Sequence, residues 1–284
     1  MSYFNWICPV CKQLLTLSGR TLKCDGHHAF DIAKEGYVNL LLAQHKKSKA
    51  PGDSKEMVVA RQAFLASGAY APLADELARL VLSHLEAASY EKTADQQVPL
   101  LLDLGCSEGY YSSYIQALVN KQSINMDVAG LDIAKPAIQK AARAHPGNHY
   151  CVGSSFDIPL PDDSVDIALQ VFAPSSSQEL ARVLKPNALW ICVEPAPQHL
   201  HELKAFVYKD VQVHESNAEA PEHFVIEASH TLSFSFMLGD AQSRLNLLKM
   251  TPYYWRISED NKLRLSEQLR QCSADFSLKI CRAL

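Results

Sequence analysis

The sequence predicts an α/β fold: a mostly parallel sheet with helices on both faces, preceded by a small N-terminal zinc-binding domain. Three observations carry this reading. From Pro99 onward, short apolar runs alternate with helical stretches, the pattern of strands joined by crossover helices. A glycine-containing turn follows the first of those runs. Paired cysteines crowd the first 24 residues, where there is too little apolar material to build a core.

The first segment, 1–43, is dominated by turn and metal-type residues and reads as a zinc-binding domain. Residues 44–97 read as a linker followed by helices that pack on the body. Within them, Gln44-His-Lys-Lys-Ser-Lys-Ala-Pro-Gly-Asp53 is polar and basic, as an exposed loop should be. Asp53 and Ser54 are candidate caps for a helix through Met57, Ala60, Phe64 and Leu65. A second helix is expected over 72–85, with Leu73, Leu77, Leu80 and Val81 as its apolar stripe. The polar stretch 88–97 marks a boundary. In the body, 98–284, strands are expected at 100–104, 128–132, 149–152, 165–171 and 189–193, with helices starting near Tyr110 and running through Ala137, Ile138 and Ala141.

A chain of 284 residues accommodates one large domain plus a small appendage. No run of eighteen apolar residues exists, so no transmembrane helix is expected. The start, MSYFNWICPVCK, lacks a basic stretch followed by an apolar one, and a cytoplasmic protein is expected. The eight cysteines should then be reduced thiols or metal ligands. Cys106, Cys151, Cys192, Cys272 and Cys281 lie among apolar neighbours and read as buried small hydrophobes. The net charge of -4 is unevenly spread. Residues 1–61 hold nine Lys/Arg against five Asp/Glu, and the remainder eighteen against twenty-six. A basic N-terminal element ahead of an acidic body suggests contact with a polyanion, although chance surface fluctuation explains the numbers equally well.

Cys8-Pro-Val-Cys11 and Cys24-Asp-Gly-His-His28 supply two knuckles of thiolate and imidazole ligands, the set that tetrahedral zinc prefers. Either His27 or His28 closes the site, and spacing does not choose between them. Metal binding on the order of 10–16 kcal/mol would supply much of this segment's folding energy.

Asp103-Leu-Gly105-Cys106-Ser107-Glu108-Gly109 lies between a strand and a helix. There, backbone amides and the helix N-terminus approach a ligand closely. Asp132, ending the next strand, is placed to accept the ribose hydroxyls of an adenosine-type cofactor. A dinucleotide would want GxGxxG; the D-x-G-x-x-x-G form instead resembles motif I of class I (Rossmann-like) S-adenosylmethionine-dependent methyltransferases. Ile158-Pro-Leu-Pro-Asp-Asp-Ser-Val-Asp166 and Glu179-Leu-Ala-Arg-Val-Leu-Lys-Pro-Asn187 resemble further segments of that fold. Ser107 replaces the usual middle glycine, Asn187-Ala188 the usual Gly-Gly turn, and Ser154 an acid found near the adenine amine. Small size and tolerance of left-handed backbone make these acceptable variants.

The segment Phe30-Asp-Ile-Ala-Lys-Glu-Gly-Tyr-Val-Asn-Leu40, with Gln44-His-Lys-Lys and Pro51-Gly-Asp53, is similar to the RlmA (RrmA) family. Further matches are Glu108-Gly-Tyr-Tyr111, Ala173-Pro174, His199-Leu200 with Glu202-Leu-Lys204, and Met250-Thr-Pro252 with Trp255-Arg256. The resemblance covers almost the whole chain. It implies S-adenosyl-L-methionine-dependent methylation of guanine N1 in 23S ribosomal RNA, and a homodimer. It also implies zinc on Cys8, Cys11, Cys24 and His28. Cofactor contacts are implied from Tyr70, from Gly105, Cys106, Ser107, Glu108 and Gly109, and from Asp132 and His199. Without the resemblance, Tyr70 reads as a helix-end packing residue and His199 as a surface histidine. The catalytic base is not identified.

Guanine N1 lies on the pairing edge, so the base must be unpaired or flipped. Tyr110, Phe172 or Tyr253 would then offer a stacking face, although core packing explains the aromatics of 250–255 as well. Lys46, Lys47, Lys49 and Arg61, with the zinc element, are candidates for RNA backbone contacts. Motif I alone also admits a class I methyltransferase acting on a small molecule. Ser107 admits a catalytically silent zinc-containing RNA-binding or assembly protein. Asp103, Gly105, Gly109 and Asp132 weigh against the second, and the basic zinc element against the first.

Overall fold

The computed structural model describes residues 4–45, 51–88, 98–208 and 220–284. The expected RNA-contact residues Lys46, Lys47 and Lys49 and most of the polar boundary at 88–97 lie outside the described residues.

Among the described residues, eight strands form the main sheet. In chain order they are β4 (Val38–Asn39), β5 (Leu100–Leu104), β6 (Asp127–Asp132), β7 (His149–Val152), β8 (Val165–Val171), β9 (Leu184–Pro195), β10 (Phe224–Met237) and β11 (Gln271–Ala283). The spatial order is β10-β11-β9-β8-β5-β6-β7-β4. Pairings from β4 to β9 are parallel, while β11 pairs antiparallel with both β9 and β10. The five expected strands are all present. The antiparallel pair at one edge and the two-residue strand at the other had no counterpart in the sequence reading.

The central strands are buried on both faces, as parallel strands under crossover helices must be. On one face Leu101, Ile167, Leu169, Ile191 and Val193 meet α2 (Ala71–Ala87), α3 (Tyr110–Lys121), α7 (Ala241–Lys249) and α8 (Glu259–Gln268). Along α2, Leu73, Leu77, Val81 and Leu85 recur every fourth residue, and all are fully buried. Helix α1 (Lys55–Ala66) starts at Ser54, whose hydroxyl accepts a hydrogen bond from the Met57 amide at 3.2 Å. Asp53, the other candidate cap, is engaged elsewhere. Helix α4 (Lys135–Ala144) buries Ile138 and Ala141 with Tyr150 and Tyr37.

On the opposite face the N-terminal element shares the core of the body. Its small sheet, β1 (Thr16–Ser18), β2 (Thr21–Lys23) and β3 (Ala29–Asp31), stands apart from the main one. Yet Trp6, Leu15 and Leu22 are buried in one cluster with Leu102, Ile158, Leu160 and Trp190. Strand β4 then carries the chain into the main sheet, pairing Val38 with Cys151. Short helices α5 (Ser177–Val183) and α6 (His201–Lys204) complete the body. In α5, Arg182 donates to the carbonyls of Ile158 and Leu160, and Glu179 accepts from the Ile158 amide. That stitching gives the two motif-like segments a common structural purpose. All five scattered cysteines are buried. Among the described residues no helix is long and apolar enough to cross a membrane.

Gly130, in the middle of β6, is a packing glycine. A Cβ there would lie 2.5 Å from the Tyr150 ring and 2.9 Å from Cys106 Sγ. Gly130→Ala is therefore expected to destabilise the protein by about 1–3 kcal/mol. This would be read as a lower denaturant midpoint at unchanged slope; an unchanged midpoint would contradict the packing described.

Candidate functional site

Leaving β5, the chain builds outward through β6 and β7, then returns to β8 on the other side of β5. Ligands of open α/β sheets bind at the carboxyl ends of the strands where the order reverses. A cavity of about 850 Å³ opens at that point. Tyr70, Gly105, Cys106, Ser107, Glu108, Asp132 and His199 all line it. Gly109 stands behind its wall as the N-cap of α3, with φ 78°.

The turn after β5 is folded tightly against its neighbours. The amides of Gly105 and Cys106 both donate to the Leu131 carbonyl, at 2.8 and 3.1 Å. Gly105 has φ 67°, and a Cβ there would lie 2.4 Å from Ala173 Cβ, so only glycine lets this turn approach the loop after β8. Asp132 closes the turn: its carboxylate accepts from the Ser107 amide at 3.0 Å and the Ala134 amide at 2.7 Å.

Ser107 holds φ 49°, a left-handed conformation that costs a side-chain-bearing residue about 1–2 kcal/mol. Its hydroxyl offsets this by joining two charged groups. It donates to Glu108 at 2.7 Å and accepts from Arg61 at 2.8 Å. Arg61 also pairs with Asp53 and reaches the Met250 carbonyl at 3.4 Å. The expected role of Arg61 as an RNA backbone contact is thus displaced: the structure sets it in the cavity wall. The signal for this was an arginine interrupting the apolar residues of α1, flanked by Val58, Phe64 and Leu65.

Burial dominates the electrostatics. It pushes the Asp103 carboxyl up to about 7, with Ser112 opposing, and raises Glu108 and Asp132 as well. Three acids held above their ordinary range around one cavity favour a cationic occupant. Tyr70 is 2% exposed, at the start of α2, and its hydroxyl makes no hydrogen bond. One Glu108 oxygen is likewise unpartnered. Buried polar atoms seldom stay unsatisfied, so a wall bearing both fits a ligand with polar groups of its own. His199 is buried, not on the surface; its Nδ1 accepts from the Asp275 amide at 3.3 Å.

The loop after β8 faces this turn across the cavity. Phe172, half-exposed at φ 55°, lies 5.4 Å from the His199 ring and 5.7 Å from Phe276. Gln170, which the sequence reading did not single out, braces the loop by donating to the Ala173 carbonyl and accepting from Ser175. Tyr110 and Tyr253 are half-buried and also line the cavity.

The metal cluster lies at the two knuckles. One ligand atom from each of Cys8, Cys11, Cys24 and His28 falls within 4.8 Å of every other. The Cys11 and Cys24 sulfurs are 3.5 Å apart, and His28 Nδ1 is 3.3 Å from Cys24 Sγ and 3.6 Å from Cys8 Sγ. A tetrahedral zinc with bonds of about 2.0–2.3 Å needs ligand separations of roughly 3.5–3.8 Å, so the four groups fit that ion. His27 is exposed at φ 62°, and it is His28 that lies with the three sulfurs. Burial opposes ionisation of Cys24, but hydrogen bonds from His28 and Cys11 outweigh it and bring the thiol down to about 7.

The knuckles touch the cavity rim. Lys12 pairs with Asp157, and the Ile7 amide donates to the Pro159 carbonyl at 3.0 Å. Ser154, Ser155 and Phe156 beside them line the cavity. Ser155 in turn donates to the Pro174 carbonyl at 2.6 Å. The metal element thus supports one wall and, through it, the loop after β8.

Comparisons with known proteins agree with this two-part site. The zinc-ribbon family described as RlmA, N-terminal matches residues 6–49, and a family described as a methyltransferase domain matches residues 102–192. A 23S rRNA (guanine(748)-N(1))-methyltransferase from Streptomyces fradiae is 33% identical, covering 98% of this chain and 96% of its own. A Bacillus subtilis relative, provisionally named a 23S rRNA (guanine-N(1)-)-methyltransferase, is 32% identical over 96% of this chain and 94% of its own. A malonyl-[acyl-carrier protein] O-methyltransferase from Serratia marcescens is 29% identical over only 36% of this chain and 41% of its own. The match that spans ribbon and body together is therefore to the rRNA enzymes. With its zinc ribbon and its S-adenosylmethionine-dependent methyltransferase body, the chain belongs to the RlmA family of 23S rRNA (guanine-N1)-methyltransferases.

Proposed function

We propose that this protein transfers a methyl group to N1 of one guanine in 23S ribosomal RNA, acting in the cytoplasm as a homodimer. The observation that carries the reading is the full-length match to a named enzyme of that activity, spanning both ribbon and body. In this reading Cys8, Cys11, Cys24 and His28 hold zinc. Tyr70, the turn 105–109, Asp132 and His199 hold S-adenosylmethionine, which when bound supplies a methyl group activated on a sulfonium.

The chain's own contribution is alignment. Fixing two reactants in attack geometry removes roughly 7–11 kcal/mol of barrier. The close approach of Gly105 to Ala173 sets the donor side against the loop 172–174, where the acceptor base enters. Extruding a guanine costs a few kcal/mol. Stacking on the face of Tyr110, Phe172 or Tyr253, all at the cavity wall, offsets about 1–3 kcal/mol of that. The apolar walls from Leu131, Val171 and Val193 exclude water from the transfer.

Incubation with labelled S-adenosylmethionine and deproteinised 23S ribosomal RNA should label the RNA. It should also leave a reverse-transcription stop at a single guanine, because N1 methylation blocks pairing. Label without a stop would contradict the assignment of the atom, and no label would contradict the substrate.

Metal removal gives a separate check. Treatment with a strong chelator should release one zinc per chain and make three further thiols, those of Cys8, Cys11 and Cys24, reactive toward a thiol reagent. The five body cysteines, buried by the sheet, should stay unreactive. Unchanged thiol counts after chelation would contradict the ligand set.

A further inference from the structure

The segment after α7 is an elbow of aromatic and basic side chains at the cavity mouth. Its centre is a single 3₁₀ turn, Pro252–Trp255, in which Pro252 presets the first backbone angle. Its root is fixed. Arg61 donates to the Met250 carbonyl, and the Thr251 hydroxyl donates to the Leu248 carbonyl at 2.7 Å. Met250, Thr251, Pro252 and Tyr253 line the cavity. The far end points outward: Trp255 is 67% exposed, whereas Trp6 and Trp190 are 0% and 5% exposed.

Nothing in the core requires an indole in that position. The surrounding groups show what it fits. Tyr254 meets Trp255 edge-on at 5.1 Å. Lys262 Nζ lies 4.6 Å from the Tyr254 ring centre, and Lys249 lies 6.0 Å from it. Arg256, exposed, donates to the Tyr208 hydroxyl at 3.0 Å, and Tyr208 packs on Tyr253 at 5.9 Å. Glu259 pairs with Lys262, and Asp260 follows it; among the described residues, Lys249 and Arg256 beside the rings have no acidic partner. Rings interleaved with cations, continuous with a cavity that receives a base, form a platform for single-stranded nucleic acid.

We propose that this elbow docks single-stranded RNA, with Trp255 stacking on an unpaired base that flanks the one entering the cavity. The proposal rests on the RNA reading above and adds a site to it. Tyr253 belongs to the cavity; Trp255, two residues on, lies outside it and grips the neighbouring nucleotide. Backbone phosphates on either side meet Lys249 and Arg256.

The three tryptophans make the test direct, since only Trp255 is open to solvent. Zinc-loaded protein is titrated with deproteinised 23S ribosomal RNA while tryptophan emission and its quenching by iodide are followed. RNA should change the emission and shield it from iodide. Trp255→Ala should raise the Kd and KM for this RNA about 5- to 150-fold, and Trp255→Tyr should restore most of the loss. Calorimetric affinity for S-adenosylmethionine should match wild type in both variants. If wild-type protein methylates the RNA but Trp255→Ala binds it with unchanged Kd, the elbow proposal falls and the RNA reading stands. If wild-type protein neither binds nor methylates the RNA, both fall. Shielding of Trp255 in the free protein, in a species of twice the chain mass, would assign the elbow to a second copy of the chain and overturn the proposal.

Discussion

The site depends on how the chain turns from β5 into α3 without losing its backbone hydrogen bonds. Asp132 makes that turn stable by accepting two amides, those of Ser107 and Ala134, from opposite sides of the crossover. Once the turn is fixed, Gly105 touches the loop after β8 and Ser107 points its hydroxyl at Arg61. Arg61 in turn joins Asp53 ahead of α1 to the Met250 carbonyl after α7. Three stretches distant in sequence are thereby held around one cavity. The arrangement also concentrates buried acid: Asp103, Glu108 and Asp132 are all raised by desolvation. That cost would be tolerable in a site that holds, as proposed, a cation with an amine and a sulfonium.

The zinc element is more than an appended RNA hook. Its buried side chains share a cluster with the body, and Val38 and Asn39 extend the main sheet. Lys12, next to a proposed metal ligand, pairs with Asp157 on the cavity rim. Metal binding, comparable to or larger than the net stability of a typical domain, would therefore stabilise one wall of the cavity. In the function proposed, a ribbon so attached would hold RNA and acceptor loop in a fixed mutual geometry, which separate domains on a linker would not.

Much of this was legible in the sequence because the strongest signals are local. The knuckles, the glycine turn, Asp132 and the five parallel strands each occupy one short window with its own chemistry. What escaped depends on distant partners. Strand β10 is an edge strand whose side chains are mostly exposed, so its apolar alternation is weak, and only its pairing with β11 defines it. Strand β4 has two residues, too few for any periodicity. Arg61 reads as an exposed helix cation until Asp53, Ser107 and Met250 are brought to it. His27 and His28 are equivalent by spacing, and only the fold, which brings the His28 ring to the sulfurs and turns the backbone at His27, separates them. Tyr70 looked like packing because it does pack, against Phe64, Phe236 and Phe276; its unpartnered hydroxyl is visible only in three dimensions.

That hydroxyl gives the most direct measurement of the central claim, that this cavity holds S-adenosylmethionine. Wild-type protein and Tyr70→Phe are titrated with the cofactor by calorimetry, and their unfolding midpoints are recorded without it. Wild type should bind one equivalent per chain. Tyr70→Phe should bind roughly 2- to 12-fold more weakly, the range for one lost hydrogen bond of about 0.5–1.5 kcal/mol. Its unliganded stability should be equal or higher, because a buried polar atom without a partner has been removed. Absence of binding by wild type, or a variant that loses stability while keeping full affinity, would contradict the account.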